Sequence, residues 1–271
     1  MLGALRDHGF SVAAPDVQAW DLTRWTETQA PVPFDFELLI NCAAYTQVDQ
    51  AEQDALAAHT LNALVPEKLA ELSKKRRALF VHISTDYVFS GDSRRPYTED
   101  DPPFPQSAYG HTKLEGEMCV QAAAGAYYIV RSAGLYGPGG ATGKGGHSMI
   151  DFILNTARAG KPLRLVQDQW TSPTYVGHLA QGLVRLLERR PESGCYHMVN
   201  EGVCSWHEFG TEVLQQAGMA AEILPVSLAE FSQRPAKRPT YSALENRKLN
   251  ALGMRMPTWQ EGVRAYIAET R

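Results

Sequence analysis

Apolar runs of strand length recur along the chain with helical stretches between them, and this alternation restricts the fold more than any single motif does. Glu37-Leu-Leu-Ile-Asn-Cys-Ala43, Ala78-Leu-Phe-Val-His-Ile-Ser84 and Tyr127-Tyr-Ile-Val-Arg131 are each nearly continuous in hydrophobic residues. A strand wet on one face alternates polar and apolar side chains. These runs do not alternate, so they read as strands covered on both faces. Residues 53–77 carry helical periodicity between the first two, and a helix bearing Tyr109 and Lys113 separates the second from the third. The expected result is an α/β fold, a doubly wound parallel sheet of right-handed βαβ units. Helix Leu2–His8, ended by Gly9, leads into a further expected strand at Phe10–Ala14. Toward the carboxyl terminus the pattern gives helices at 148–159, 176–190 and 205–217, strands at 195–199 and 222–225, and a last helix from Thr258. Ser205 and Glu208 have the spacing of a capping box.

Composition removes several classes of function. A net charge of -4 gives no reason to expect nucleic acid or an anionic membrane as partner, and no apolar stretch approaches the length of a membrane span. Cys42, Cys119, Cys195 and Cys204 show no Cys-x-x-Cys spacing. With no cleavable signal at the front, a reduced cytoplasmic protein without a bound metal is the expectation.

In open α/β sheets ligands sit at the carboxyl ends of the strands. Ala44-Tyr45-Thr46 follows one strand and Thr85-Asp86 follows the next. Immediately behind comes Ser107-Ala-Tyr-Gly-His-Thr-Lys-Leu-Glu-Gly-Glu117, which sets a phenol and an ammonium four residues apart on one helix face. A cation beside Tyr109 is expected to lower its pKa, so that it exchanges a proton with a substrate oxygen near neutral pH. Thr85 can donate to the same oxygen, and Lys113 can also bind ribose hydroxyls. This combination suits carbonyl reduction, although a Tyr and a Lys at this spacing also occur on ordinary exposed helices. Pro66, inside the helical stretch, cannot donate to the carbonyl of Asn62. That carbonyl is either left at a simple bend or offered to a water or lysine near a site. Pro31-Val-Pro33 reads as a turn. Gly137–Gly146, with Lys144 inside it, reads as a loop for which phosphate binding is the weaker interpretation.

The chain resembles the extended short-chain dehydrogenase/reductases, and within them the dTDP-4-dehydrorhamnose reductase family. The matching stretches are Asn41–Glu52, Ile83-Ser-Thr-Asp-Tyr-Val-Phe-Ser-Gly91, Pro105–Glu117, Asp168-Gln-Trp-Thr-Ser-Pro-Thr174 and Arg238-Pro-Thr-Tyr-Ser-Ala-Leu244. The resemblance implies a Rossmann-type domain of residues 1–145 and 172–200 that binds NADP(H) or NAD(H), with 146–171 and 201–271 forming a smaller substrate-binding lid. It implies hydride delivery to the 4-keto carbon of a nucleotide-linked deoxysugar, dTDP-4-dehydro-L-rhamnose giving dTDP-L-rhamnose. Tyr109 would protonate the alkoxide, Thr85 would hold the oxygen, and Lys113 would tune Tyr109. Gly3, Asp16, Asp21, Leu22, Ala44, Tyr45, Thr46, Asn62 and Lys113 are the implied cofactor contacts, and Asp86 joins Thr85 and Tyr109 at the sugar. Turn and packing roles stay open for Asp21 and Tyr45. Trp170, Tyr175, Arg238 and Ser242 are either sugar contacts or packed core. A homodimer is compatible with this reading.

Two departures from the family pattern bear on these implications. The family carries Gly-x-x-Gly-x-Leu-Gly after its first strand, of which only Met1-Leu-Gly3 is matched here. The first strand of the doubly wound order would then be missing, leaving a gap flanked by two open strand edges. A start at an internal methionine is the favoured explanation, ahead of a remnant that binds nucleotide poorly or a replacement strand. Gly134 stands where the family often has tryptophan, which leaves the sugar open. The same motifs also admit a non-catalytic NADP-binding regulatory subunit, or a sugar-nucleotide epimerase or dehydratase.

Overall fold

The computed structural model describes residues 1–28, 32, 34–139, 148–231 and 233–270, with the side chains of Glu27 and Thr28 left aside. Pro31, Pro33 and the part of the glycine-rich stretch from residue 140 to 146, Lys144 included, lie outside the described residues. Helices are α1 (Leu2–Asp7), α2 (Leu22–Thr28), α3 (Val48–Ala51), α4 (Ala55–His59), α5 (Val65–Lys75), α6 (Ala108–Ala123), α7 (Met149–Arg158), α8 (Val176–Arg189), α9 (Trp206–Ala217), α10 (Arg247–Ala251) and α11 (Trp259–Thr270). Strands are β1 (Leu38–Asn41), β2 (Leu79–Thr85), β3 (Tyr127–Ser132), β4 (Leu163–Val166), β5 (Trp170–Thr171), β6 (Gly194–His197), β7 (Cys204–Ser205) and β8 (Ile223–Val226).

The main sheet runs β1-β2-β3-β6, with every neighbouring pair parallel. Successive side chains of β2 point to opposite faces. Val81, with Tyr128 and Val130 of β3, packs on the face covered by α1 and by Leu179, Leu183 and Leu187 of α8. Phe80 and Ile129 pack on the other, against Trp25 of α2, Val65 and Leu69 of α5 and Val120 of α6. Helices on both faces explain why the strands are apolar throughout. The same parity turns His82 and Ser84 toward α6, which matters for the site.

Phe10–Ala14 is not a strand, a correction to the expectation above. A strand needs a neighbour for its backbone groups, and no described residue lies beside this segment in a ladder. Phe10 and Val12 still pack their side chains beneath α8 and the sheet. The expected gap between two open strands is therefore absent, and β1 alone forms that edge.

The helical stretch 53–77 also differs from one helix kinked at Pro66. It resolves into α4, a single π-helical turn at Thr60–Leu64, and α5, with Pro66 in the first turn of α5. The wider turn accommodates the missing N–H of proline. The Asn62 carbonyl faces Gly116 of α6, where an added Cβ would stand 2.0 Å from it. The carbonyl thus serves close packing against α6, which neither of the two readings left open for it had named.

A second cluster lies away from the main sheet, built from Ile150, Ile153, Leu165, Phe209, Val213, Trp259, Val263 and Tyr266. Strands β4 and β8 pair in parallel, and β5 pairs antiparallel with β7. The expected capping box opens α9, and a second one, Ser148 with Asp151, opens α7. Gly91, at φ +86°, lets Pro239 approach so closely that a Cβ would meet its Cα at 2.4 Å. That contact draws the 238–244 segment against the loop after β2.

Candidate active site

Three segments meet at the carboxyl ends of β1 and β2: Asn41–Thr46, Thr85–Val88 and the first two turns of α6. Ser107 caps α6 by accepting from Gly110 N–H at 3.2 Å. This places Tyr109 in the first turn and Lys113 in the next. Thr85 accepts from Tyr87 N–H at 3.2 Å and donates to Asp86 Oδ1 at 3.1 Å. The Tyr109 side chain lies close enough to Thr85 for the hydroxyl to act on its phenol, and the Tyr109 ring meets Tyr87 edge-on at 5.6 Å.

Lys113 is 1% exposed. Its Nζ donates to the Ile83 carbonyl at 2.8 Å and lies 3.2 Å from Nε2 of His82. Burial pulls its pKa down to about 8 against the opposing charge of Glu117. Burial likewise pushes the Tyr109 phenol up to about 12, with the nearby Thr85 hydroxyl working the other way and the Asp86 charge adding to the rise. The expectation that Lys113 lowers the phenol pKa is thus corrected. Shared spacing on a helix put both side chains on one face, but the polar head of Lys113 is turned to β2, where burial outweighs any effect on Tyr109.

His82, Asn41 and Glu117 were not singled out by sequence reasoning. His82 stood in an apolar run as a lone polar residue, which was the available signal. It is fully buried, with Nδ1 at 3.1 Å from Asn41 Nδ2. Glu117 accepts from Ser84 Oγ at 2.5 Å and from Arg131 Nη2 at 2.6 Å, with Arg131 also lying over the Phe89 ring. This buried pair bolts α6 to β2 and β3 directly behind Thr85.

Asn62 is brought to the site by its side chain. Its Oδ1 accepts from Tyr45 N–H at 2.8 Å, and its Nδ2 donates to Tyr45 C=O at 3.2 Å and to Thr112 Oγ1 at 3.1 Å. Ala44, Tyr45 and Thr46 are thereby held next to α6. Asp16 and Asp21 bind local backbone instead: Asp16 accepts from Gln18 and Ala19 N–H, while Asp21 accepts from Thr23 and Arg24 N–H at the start of α2. For Asp21 the turn role left open above is present. Leu22 packs beside Trp25, and Gly3 is exposed on α1, where a Cβ would meet nothing within 4 Å.

Arg238 makes a two-pronged contact with Asp49, at 2.8 and 2.6 Å. The guanidinium holds the Asp49 carboxyl below its usual pKa. Arg238 therefore ties the 234–240 segment to the start of α3 beside the Thr85 loop. Trp170 and Ser242 are joined through backbone, Ser242 N–H donating to Trp170 C=O at 2.8 Å. Tyr175 is 8% exposed among Tyr136, Tyr266 and His178, and its hydroxyl donates to Glu269. It sits in the core, remote from the Thr85–Tyr109 pair in its contacts. Gly134 lies against Pro173 and Trp206.

The RmlD substrate binding domain family matches residues 1–271. The spore coat polysaccharide biosynthesis protein SpsK of Bacillus subtilis is 36% identical over 233 residues, covering 86% of this chain and 79% of that protein. A crystal structure of a dTDP-4-dehydrorhamnose reductase from Clostridium acetobutylicum aligns with a TM-score of 0.89 at 35% identity, covering 99% of this chain and 94% of that one. The dTDP-4-dehydrorhamnose reductase of Bacillus anthracis, solved in complex with NADP, aligns with a TM-score of 0.87 at 33% identity over 97% and 92% of the two chains.

Proposed function

The chain belongs to the RmlD substrate binding domain family, and from that premise we propose that it reduces the 4-keto group of a nucleotide-linked deoxysugar with NADP(H), the substrate being dTDP-4-dehydro-L-rhamnose and the product dTDP-L-rhamnose. The observation that carries this reading is the nearness of the Thr85 and Tyr109 hydroxyls at the carboxyl end of β2, with Lys113 buried one turn further along the same helix. The nicotinamide dinucleotide, when bound, supplies the hydride. The residues present fit its ribose end: Lys113 Nζ and the Ala44 and Thr46 N–H groups, on either side of the Tyr45 amide that Asn62 holds, would be its donors. Asp16, Asp21, Leu22 and Gly3 belong to the adenosine side on this reading.

Tyr109 is the acid. At a pKa of about 12 its hydroxyl is fully protonated at neutral pH, yet it is a far stronger acid than the alcohol formed at carbon 4, so proton transfer from Oη to the developing alkoxide runs downhill. Thr85 Oγ1, whose one proton goes to Asp86 in the structure, turns that proton to the same oxygen when the sugar is bound. Residues 146–171 and 201–271 are taken as the lid, with Arg238, Trp170 and Ser242 on its sugar side. Tyr175 serves packing instead. Incubation with NADPH and dTDP-4-dehydro-L-rhamnose should consume the two reactants in equal amounts and yield dTDP-L-rhamnose by chromatography. Folded protein that leaves both unchanged would rule the reading out.

A further inference from the structure

The directions of the hydrogen bonds around Lys113 determine where its protons are. Ala43 N–H, which can only donate, points at Asn41 Oδ1 at 3.0 Å. The Asn41 amide is therefore turned with its NH₂ toward Nδ1 of His82, 3.1 Å away. That NH₂ also can only donate, so Nδ1 accepts and carries no proton. Burial alone disfavours the imidazolium of His82 and holds its pKa well below the ordinary value, so the ring is neutral and its proton is on Nε2. An Nε2–H facing an ammonium at 3.2 Å would set donor against donor. Facing an amine lone pair it makes a hydrogen bond, and that amine still donates to the Ile83 carbonyl at 2.8 Å. The depressed lysine pKa agrees with this direction.

We propose that His82 is a positioning residue for Lys113: with Asn41 it forms a buried relay that selects the neutral amine of the lysine and couples its proton uptake to the backbone of Ala43. This rests on Lys113 being the lysine of the proposed reductase site. When a solvent proton adds to Nζ, the ammonium becomes a donor toward Nε2. The ring proton must then pass from Nε2 to Nδ1, and the Asn41 amide must turn over to accept it. Asn41 now presents NH₂ to Ala43 N–H, and the Ala43 peptide must shift. One proton enters and none leaves. Ala43 opens the segment that Asn62 clamps at Tyr45, so any ligand that fixes this segment changes the affinity of Lys113 for its proton, and the converse holds by linkage.

The other ionisable groups around Nζ do not replace the relay. Glu117, one turn along α6, favours the ammonium but is already paired with Arg131 of β3. Cys42, after β1, is an exposed thiol that makes no hydrogen bond to Nζ among those formed. Among the described residues no carboxylate is within hydrogen-bond reach of Nζ in the bonds formed.

The test is long-range ¹H–¹⁵N NMR on protein carrying ¹⁵N-labelled histidine, with the His82 signal assigned by loss in His82→Gln or by proximity to the Phe80 ring stacked on it. At pH 9 the ring should carry its proton on Nε2 with Nδ1 bare. As the pH falls through about 8, the ring should change to the Nδ1–H form and the Ala43 amide should shift with the same midpoint. Both transitions should vanish in Lys113→Met. A proton on Nδ1 at pH 9, or an Ala43 amide that does not titrate in the wild type, overturns the relay. If Lys113→Met does not fold, the wild-type measurement at pH 9 still decides. No arm depends on turnover, so an inactive protein with the predicted tautomer would reject the reductase and keep the relay, and an active one with the opposite tautomer would do the reverse.

Discussion

Tyr109 and Lys113 are four residues apart in sequence, but burial treats them oppositely, raising one pKa and lowering the other. Desolvation disfavours whichever form is charged, so a phenol is kept protonated and an ammonium is discharged. The lysine carries a consequence for stability. Between about pH 8 and 10.5 the unfolded chain keeps a proton on this lysine that the folded chain has lost. Stability contributed by this site therefore rises with pH across that window and has no slope below it. The difference in unfolding free energy between wild type and Lys113→Met, measured by urea titration, should grow from pH 8 to 10.5. A difference that stays flat contradicts the assigned direction. At this scale the acid and the lysine were legible, because residue type and helical spacing identify them. Their pKa values were not, since spacing along a helix does not say which head group turns into the sheet. His82 was hidden for the same reason, its role depending on strand parity and on an asparagine from a different strand.

At the level of elements, α6 is fixed by two devices. One is the close approach of Gly116 to the Asn62 carbonyl. Gly116→Ala forces a Cβ into that carbonyl and should cost about 1–3 kcal/mol, as overpacking typically does. Because the same residue holds Tyr45 through its side chain, the variant should also bind NADPH more weakly. Equal urea midpoints and equal cofactor affinity for the two proteins would contradict this. The other device is the buried Arg131–Glu117 pair, with side chains 6% and 1% exposed. Arg131→Leu leaves a buried carboxylate without its cation and should destabilise by about 3–5 kcal/mol. A loss below about 1 kcal/mol, the range of exposed pairs, would show that Glu117 finds another partner. The strands β1, β2 and β3 were readable as continuous apolar runs. Phe10–Ala14 has the same composition but forms no strand, because strand formation is a property of a pair and the composition of one segment does not supply the other. The π turn was unreadable in detail: Pro66 marks a disturbed helix but does not choose between a bend and a widened turn.

Across the whole molecule, segments far apart in sequence close on one corner. Gly91 meets Pro239, Gln169 Nε2 donates to the Pro239 carbonyl at 3.1 Å, and Asp49 grips Arg238. The resemblance indicated which motifs belong together, while their order along the chain gave no distances between them. Asp49–Arg238 joins the segment after β1 to the proposed lid. Arg238→Lys keeps the charge but loses the fork that matches a carboxylate. Since the pair is partly exposed, the stability cost should stay below about 1 kcal/mol, while KM for the sugar nucleotide should rise about tenfold, the effect of one charged hydrogen bond. A KM unchanged in a folded variant would remove Arg238 from the substrate side. The proposed 4-keto reduction depends on Tyr109 acting as the acid that completes it. The direct measurement is NADPH oxidation with dTDP-4-dehydro-L-rhamnose by wild type and Tyr109→Phe at matched folding and cofactor affinity. The predicted result is turnover that falls by about 10²–10⁴ in the variant; turnover that survives the loss of the hydroxyl would contradict it.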